Sequence, residues 1–230
     1  MMNILQIDVE DWYQGALLGN WESYEDRVVP STRKVLAILE SRKIRATFFI
    51  LGYVAGKFPG LVEMVKSKGH EIASHGYGHM PITQQTPSEF EEDLSKSIRV
   101  LEKITGDRIL GYRAPQFTLV RKTSWAIDIM KRNGLKYDSS IFPVRTHLYG
   151  VPDAPLFPYH ISSSNISVDD PAEDFIEVPL SVYRTPLVGM NIPIAGGFYL
   201  RFFPFFLISH AIGKINKLKQ PACVIFTPGS

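Results

Sequence analysis

Gly69-His70-Glu71-Ile72-Ala73-Ser74-His75-Gly76-Tyr77-Gly78-His79 decides how this chain is read. An apolar strand runs into a Gly-rich turn, and the turn carries two histidines, His75 and His79, in an H-x-x-x-H spacing. Two imidazoles gathered at the mouth of a sheet are two thirds of a three-ligand metal site, and a carboxylate from elsewhere completes it. The segment Ile4-Leu5-Gln6-Ile7-Asp8-Val9-Glu10-Asp11-Trp12 offers that carboxylate, because it is an apolar strand ending in three acids. Acids at the end of a buried strand are costly to desolvate, so their concentration there points to cation binding or proton chemistry. Taken alone, H-x-x-x-H describes surface loops more often than metal sites, so the surrounding elements have to separate the two.

Outward from this stretch the chain alternates. Pro30-Ser31-Thr32 starts a helix with Val35, Leu36, Ile38 and Leu39 at amphipathic spacing as far as Ser41. Arg45 to Leu51 is the second strand, Pro59 opens a helix through Lys68, and His70 to Ala73 is the third strand. Thr86-Pro87-Ser88-Glu89 is a capping box with Pro at the first helical position, and the helix it starts runs to Gly106. Strand, helix and strand follow at Ile109 to Arg113, Thr123 to Asn133 and Lys136 to Asp138. This βαβα order predicts an α/β fold on a parallel sheet, with its site at the C-terminal strand ends, where every candidate above lies. Between Pro143 and Pro193, which hold half of the 16 prolines, the rhythm breaks. The stretch is too apolar and aromatic for a disordered linker and reads as an ordered insertion over the barrel mouth, with Ile176-Glu177-Val178 a returning strand. A helix from Phe205 to Lys219 and a strand from Ala222 to Phe226 resume the alternation.

At 230 residues and 45% hydrophobic content the chain fits one domain, residues 1–230. A net charge of +2 without basic runs gives no reason to expect nucleic-acid binding. Cys223 is the only cysteine, which excludes an intramolecular disulfide. Met1-Met2-Asn3-Ile4 has no basic lead and meets Asp8 early, so no secretory signal and a cytoplasmic location are expected. Gly196 to Ile212 is the most hydrophobic stretch, but Arg201, Pro204 and His210 interrupt it and it is too short for a bilayer span. A buried helix with its lead-in is expected there, with docking to a membrane surface as the alternative.

Four motifs in order now carry a resemblance. Asp8-Val9-Glu10-Asp11, Ser74-His75-Gly76-Tyr77-Gly78-His79, Gly111-Tyr112-Arg113-Ala114-Pro115 and Tyr137-Asp138-Ser139-Ser140 resemble motifs one to four of the polysaccharide deacetylases, the NodB-homology carbohydrate esterases of family 4. Tyr149 to Pro158, Glu177-Val178-Pro179-Leu180 and Gly196-Gly197-Phe198-Tyr199-Leu200-Arg201 resemble the branch found beside exopolysaccharide and exosortase (PEP-CTERM) loci. The resemblance implies a distorted, incomplete (β/α) barrel and a metal-dependent hydrolase that removes N-acetyl groups from hexosamine units of a polysaccharide or its precursor. It implies a divalent metal, commonly Zn2+, held by His75, His79 and either Glu10 or Asp11. Strand alternation favours Glu10, and a turn at Asp11 would reverse the choice. Asp8 takes the role of general base for the attacking water. Arg113 orients Asp8 and keeps its pKa low, so loss of Arg113 is expected to be milder than loss of Asp8 and to raise the pH at which activity appears. The backbone N–H of Gln116, after Pro115, matches the oxyanion donor.

The fifth motif departs from the pattern. Relatives end this strand with His-Pro, and that histidine protonates the leaving amine; here Ala222-Cys223-Val224-Ile225-Phe226-Thr227-Pro228 places Thr227 in its position. A threonine hydroxyl is no acid of near-neutral pKa. Asp138, which would tune that histidine, is expected to lack its partner, and none of His70, His147, His160 and His210 is singled out as a replacement. A truncated gene product and a natural variant that binds metal and sugar with impaired catalysis both account for this. An amidase acting on another C–N bond is the third reading, because a fold does not fix a substrate.

Overall fold

The first strand of the computed structural model, β1 (Ile4–Val9), buries Ile7 and Val9. Residues 2–146, 149–185 and 189–228 are described. A short helix α1 (Trp12–Gly15) and the longer α2 (Val28–Ser41) lead to β2 (Thr47–Ile50). α2 begins before the expected Pro30, and the reason is tertiary. Asp11 accepts hydrogen bonds from the amides of Arg27 (2.7 Å) and Val28 (2.9 Å), so amides at the helix start find an acceptor sixteen residues back in the chain. Helices α3 (Gly52–Lys57) and α4 (Pro59–Ser67) then lead to β3 (Glu71–Ser74). α3 has no sequence signature; its first amides, those of Gly52 and Tyr53, donate to the carbonyls of Gly76 and Tyr77 in the histidine turn.

Helix α5 (Pro87–Thr105) forms as its sequence dictates. The Thr86 hydroxyl accepts from the Glu89 amide, the Glu89 carboxylate accepts from the Thr86 amide, and Gly106 closes the helix at φ 70, where a Cβ would be strained. Its apolar stripe of Phe90, Leu94, Ile98 and Leu101 is buried in the main core. β4 (Gly111–Tyr112), α6 (Ala126–Arg132) and β5 (Tyr137–Asp138) follow.

The stretch from 143 to 193 contributes Tyr149 to the cavity lining and, with the expected returning strand at Ile176–Glu177, is also built into the sheet. It adds β6 (Tyr159–His160) and β7 (Ile176–Glu177) to the main sheet and forms a hairpin of β8 (Val182–Arg184) and β9 (Asn191–Pro193). Helices α7 (Gly197–Phe202) and α8 (Phe205–Lys217) precede β10 (Cys223–Phe226). The eight-stranded sheet runs β10-β1-β2-β3-β4-β5-β7-β6, parallel at every pair except β6–β7. It is open, with β10 and β6 at its edges, so the incomplete-barrel expectation describes it. The expectation of a buried helix at 196–212 does not hold: α8 buries Ile208, Ala211 and Ile215, while Phe205, Phe206 and Leu207 face outward.

Candidate metal centre and active site

β1 and β3 are each paired to β2 in parallel, Asp8 opposite Phe49 and Ser74 opposite Ile50, which brings the acids of the first strand and the histidine turn to one end of the sheet. Their side chains meet there. His79 Nε2 lies 2.6 Å and His75 Nε2 3.4 Å from the same Glu10 oxygen, Oε2. One ligand atom from each of Glu10, His75 and His79 lies within 4.8 Å of the other two, and all three residues are buried. His75 Nδ1 is 2.9 Å from the Arg113 carbonyl oxygen. A carbonyl only accepts, so Nδ1 carries a proton and Nε2 is the nitrogen turned toward Glu10, able to hold a second proton there or, when deprotonated, to offer its lone pair to a cation. A lone pair facing a carboxylate oxygen is repulsive unless a proton or cation stands between them. Two imidazole nitrogens and one carboxylate oxygen are a donor set that suits zinc or a related divalent ion.

Asp11 has a different occupation. It caps α1 in a capping box with Gln14 and accepts the Arg27 and Val28 amides, so its carboxylate is committed to backbone donors. Of the two acids, it is Glu10 that joins His75 and His79 in the group that could hold a metal ion.

Asp8 stands beside this cluster, with Oδ2 3.9 Å from His75 Nε2 and Oδ1 accepting from Arg113 Nη1 at 3.1 Å. Burial raises the Asp8 carboxyl above its ordinary range despite the opposing charges of Arg113 and His75. Arg113 pulls the carboxyl down, in the expected direction, and burial outweighs it. For Glu10 burial acts the same way, but the charges of His79 and His75 and their hydrogen bonds win and hold its carboxyl well below the ordinary range. Arg113 is 0% exposed. It donates through Nε to the Ser139 carbonyl (2.8 Å), through Nη2 to the Ser139 hydroxyl (2.9 Å) and to Gln6, and its guanidinium lies 4.4 Å from the Phe49 ring centre. It is the hub of a buried network and no ordinary strand-end ion pair.

A cavity of about 290 Å³ opens over these groups. Asp8, Glu10, His75 and His79 line it on one side, and Gln116, Phe117, Phe142, Tyr149, Tyr199 and Thr227 on the others. His79 (φ 53), Gln116 (φ 53) and Phe117 (φ 55) hold left-handed backbone, a conformation that costs non-glycine residues energy and gathers at functional sites. Pro115 is buried just before Gln116.

The family model for polysaccharide deacetylase matches residues 21–137, just over half of the chain. The chain belongs to the polysaccharide deacetylase family. A second family model, a domain of unknown function (DUF3473), matches residues 139–228 of this deacetylase-family chain. The two regions share the one sheet through the β5–β7 and β1–β10 pairs. The chain is 35% identical over 118 residues to the peptidoglycan deacetylase-like protein FGM2 of Gibberella zeae, covering 50% of this chain and 34% of that protein. To a peptidoglycan deacetylase of Helicobacter pylori it is 29% identical over 108 residues, covering 47% of this chain and 36% of that one. The chain thus spans about a third of the length of these two curated relatives. Among solved structures, a Mycobacterium smegmatis protein assigned as a polysaccharide deacetylase shares the fold over 100% of this chain and 78% of its own, at a TM-score of 0.62 and 19% identity. A CE4 family pseudoenzyme of Bacillus anthracis does so over 100% and 55%, at 0.53 and 14%.

Two residues that shape this site carry no signature in the sequence. Asp93 on α5 accepts from the Tyr77 (2.7 Å) and Gly78 (2.9 Å) amides, and a Cβ on Gly76 (φ 76) would lie 2.9 Å from its carboxylate, so it clamps the histidine turn. It is one of three acids in the helix run Glu91-Glu92-Asp93, and nothing in the sequence sets it apart. Glu177 is the other. Asp138 does not line the cavity; it accepts from the Ser140 amide and hydroxyl, and its further partner is the Glu177 carboxyl. Both are 0% exposed, and burial together with the Asp138 charge raises Glu177 well above its ordinary 4.5, so Glu177 keeps a proton to donate to Asp138. The folded state therefore holds a proton that the unfolded chain releases. This contribution to stability is complete below the ordinary glutamate pKa and is lost as the pH rises through the folded one. Glu177→Gln, a proton-independent donor of the same shape, is expected to flatten that decline, read as the urea midpoint against pH; equal slopes in both proteins would contradict the shared proton.

None of the other described histidines, His70, His160 and His210, lines the cavity. His70 accepts from the Ala46 amide, His160 pairs with Asp169, and His210 faces Tyr183. His147 lies outside the described residues.

Proposed function

We propose that the chain is a metal-dependent de-N-acetylase acting on N-acetylated hexosamine units of a polysaccharide or its precursor, with Glu10, His75 and His79 holding Zn2+. The observation that carries this reading is the convergence of those three ligand atoms within 4.8 Å, beside the Arg113-paired Asp8, in one cavity. Bound there, a divalent cation supplies Lewis acidity to a water and to the acetyl carbonyl. Asp8, fixed by Arg113, accepts the proton of the attacking water at its carboxylate. The main-chain N–H of Gln116, at the cavity wall, donates to the oxygen on which negative charge develops. Phe117, Phe142, Tyr149 and Tyr199 offer apolar faces for a sugar ring and help to exclude water. The peptidoglycan deacetylases among the relatives support a polysaccharide substrate, and the 149–158, 177–180 and 196–201 sequences favour an exopolysaccharide.

Zinc titration of the metal-free protein tests the ligand set. Glu10→Ala is expected to lower affinity by at least about tenfold, whereas Asp11→Ala leaves the stoichiometry at about one per chain and costs fold stability. The reverse order would transfer the role to Asp11.

A second reading, an impaired enzyme, rests on Thr227. It lines the cavity one residue beyond Phe226, whose partner is Ile7, and so stands next to Asp8 across the β1–β10 pair. Tyr149 is no substitute acid, because burial and its hydrogen bond to Tyr199 push its phenol up to about 12. Slow release of the amine is therefore expected. Thr227→His should raise turnover on a chitooligosaccharide by about 10²-fold, within the range of general acid catalysis. An unchanged rate would mean that leaving-group protonation is not what limits this chain. The fold accommodates both outcomes: a Bacillus anthracis CE4 pseudoenzyme and its mutant with restored activity share it.

A further inference from the structure

The most hydrophobic stretch of the chain is turned outward. Phe198 (69%), Phe202 (72%), Phe205 (82%), Phe206 (68%) and Leu207 (47%) are all exposed on α7 and the first turn of α8. Phe198 and Phe202 stand one helical turn apart with their rings stacked at 5.8 Å. Single exposed apolar residues are ordinary, but five within ten residues form a contiguous patch of the kind that marks an interaction surface. The patch adjoins the cavity, since Phe198 and Tyr199 line its mouth.

Charge identifies the occupant. From Gly196 to Lys219 there is no Asp or Glu, while Arg201, Lys214, Lys217 and Lys219 are basic. On α8, Phe206, His210, Lys214 and Lys217 follow one another at helical spacing along the side opposite the buried Ile208, Ala211 and Ile215. The exposed side of this helix therefore has an aromatic end and a cationic end. A second copy docked on the same patch would set these cations against their counterparts with no acid in the segment to neutralise them. Phosphate headgroups over an acyl interior complement both ends at once. α8 has 13 residues, and no helix among the described residues is long and apolar enough to cross a membrane, so the contact is interfacial.

We propose that α7 and α8 dock on an anionic lipid surface, with Phe198, Phe202, Phe205 and Phe206 at the headgroup–acyl boundary and Lys214 and Lys217 against the phosphates. Taken with the proposed deacetylase function, and resting on it, this geometry presents the cavity mouth to a saccharide held at the membrane. The docking itself needs no catalysis.

Co-sedimentation of the full chain with vesicles tests it. Binding is expected to mixed phosphatidylcholine and phosphatidylglycerol vesicles, weaker binding to phosphatidylcholine alone, and loss in high salt. Phe202→Ser with Phe206→Ser should weaken binding by about 100-fold, and Lys214→Gln with Lys217→Gln by about 30-fold. Melting temperature and zinc stoichiometry should stay unchanged in both variants, because all four side chains are exposed and outside the cavity. Absence of binding to the mixed vesicles would overturn the proposal, as would wild-type binding retained by the phenylalanine variant. So would a wild-type dimer, indifferent to vesicles, that this variant converts to monomer, since a second copy would then cover the patch. None of these results touches the zinc titration, so this proposal and the metal-site reading fail separately.

Discussion

Arg113→Ala is expected to lower folding stability by about 3–5 kcal/mol, the cost of leaving one member of a buried charged network without its partner. Removing the guanidinium strips Asp8 Oδ1, Gln6 Oε1 and both Ser139 acceptors of a donor, and leaves space beside Phe49. Asp8, being buried, has little water with which to replace it. Arg113→Lys should recover only part of the loss, because one ammonium cannot reach acceptors spread around a planar fork. Urea unfolding of the metal-free protein measures this, and a midpoint within experimental error of wild type would show that the network contributes nothing. The expectation that Arg113→Ala is milder than Asp8→Asn in activity, with activity appearing at higher pH, concerns rate and is separate from this stability cost. The stability cost follows from the complete burial of Arg113.

Asp8→Asn carries the largest expected effect on rate. The amide keeps an oxygen for Arg113 but has no basic oxygen for the proton of water, so hydrolysis should fall by about 10²–10⁴-fold while the zinc stoichiometry holds. Parallel metal analysis and chitooligosaccharide turnover on the same preparation separate the two properties. Wild-type turnover in Asp8→Asn would place the base elsewhere. Loss of metal along with activity would make Asp8 a ligand, which its 3.9 Å distance from His75 Nε2 and its pairing with Arg113 argue against.

The patterns that were legible in the sequence are local ones. The Thr86 capping box fixed the start of α5 because both of its hydrogen bonds close within four residues. Apolar runs ending in Asp8 to Asp11 and in His75 placed the candidate groups at strand ends, and the βα alternation put those ends on one side of a parallel sheet. What remained open depended on partners distant in the chain. Asp11 is a cap because two amides sixteen and seventeen residues away bond to it. The 143–193 stretch joins the sheet because Tyr137 and Asp138 pair with Ile176 and Glu177, a register that no local propensity encodes. Glu177 is raised well above its ordinary range because that register sets two fully buried carboxyls side by side. The same limit applies to the aromatic run at 198–207: hydrophobicity in a sequence measures the cost of exposure, whereas which side of α7 and α8 meets the protein is decided by the elements they pack against.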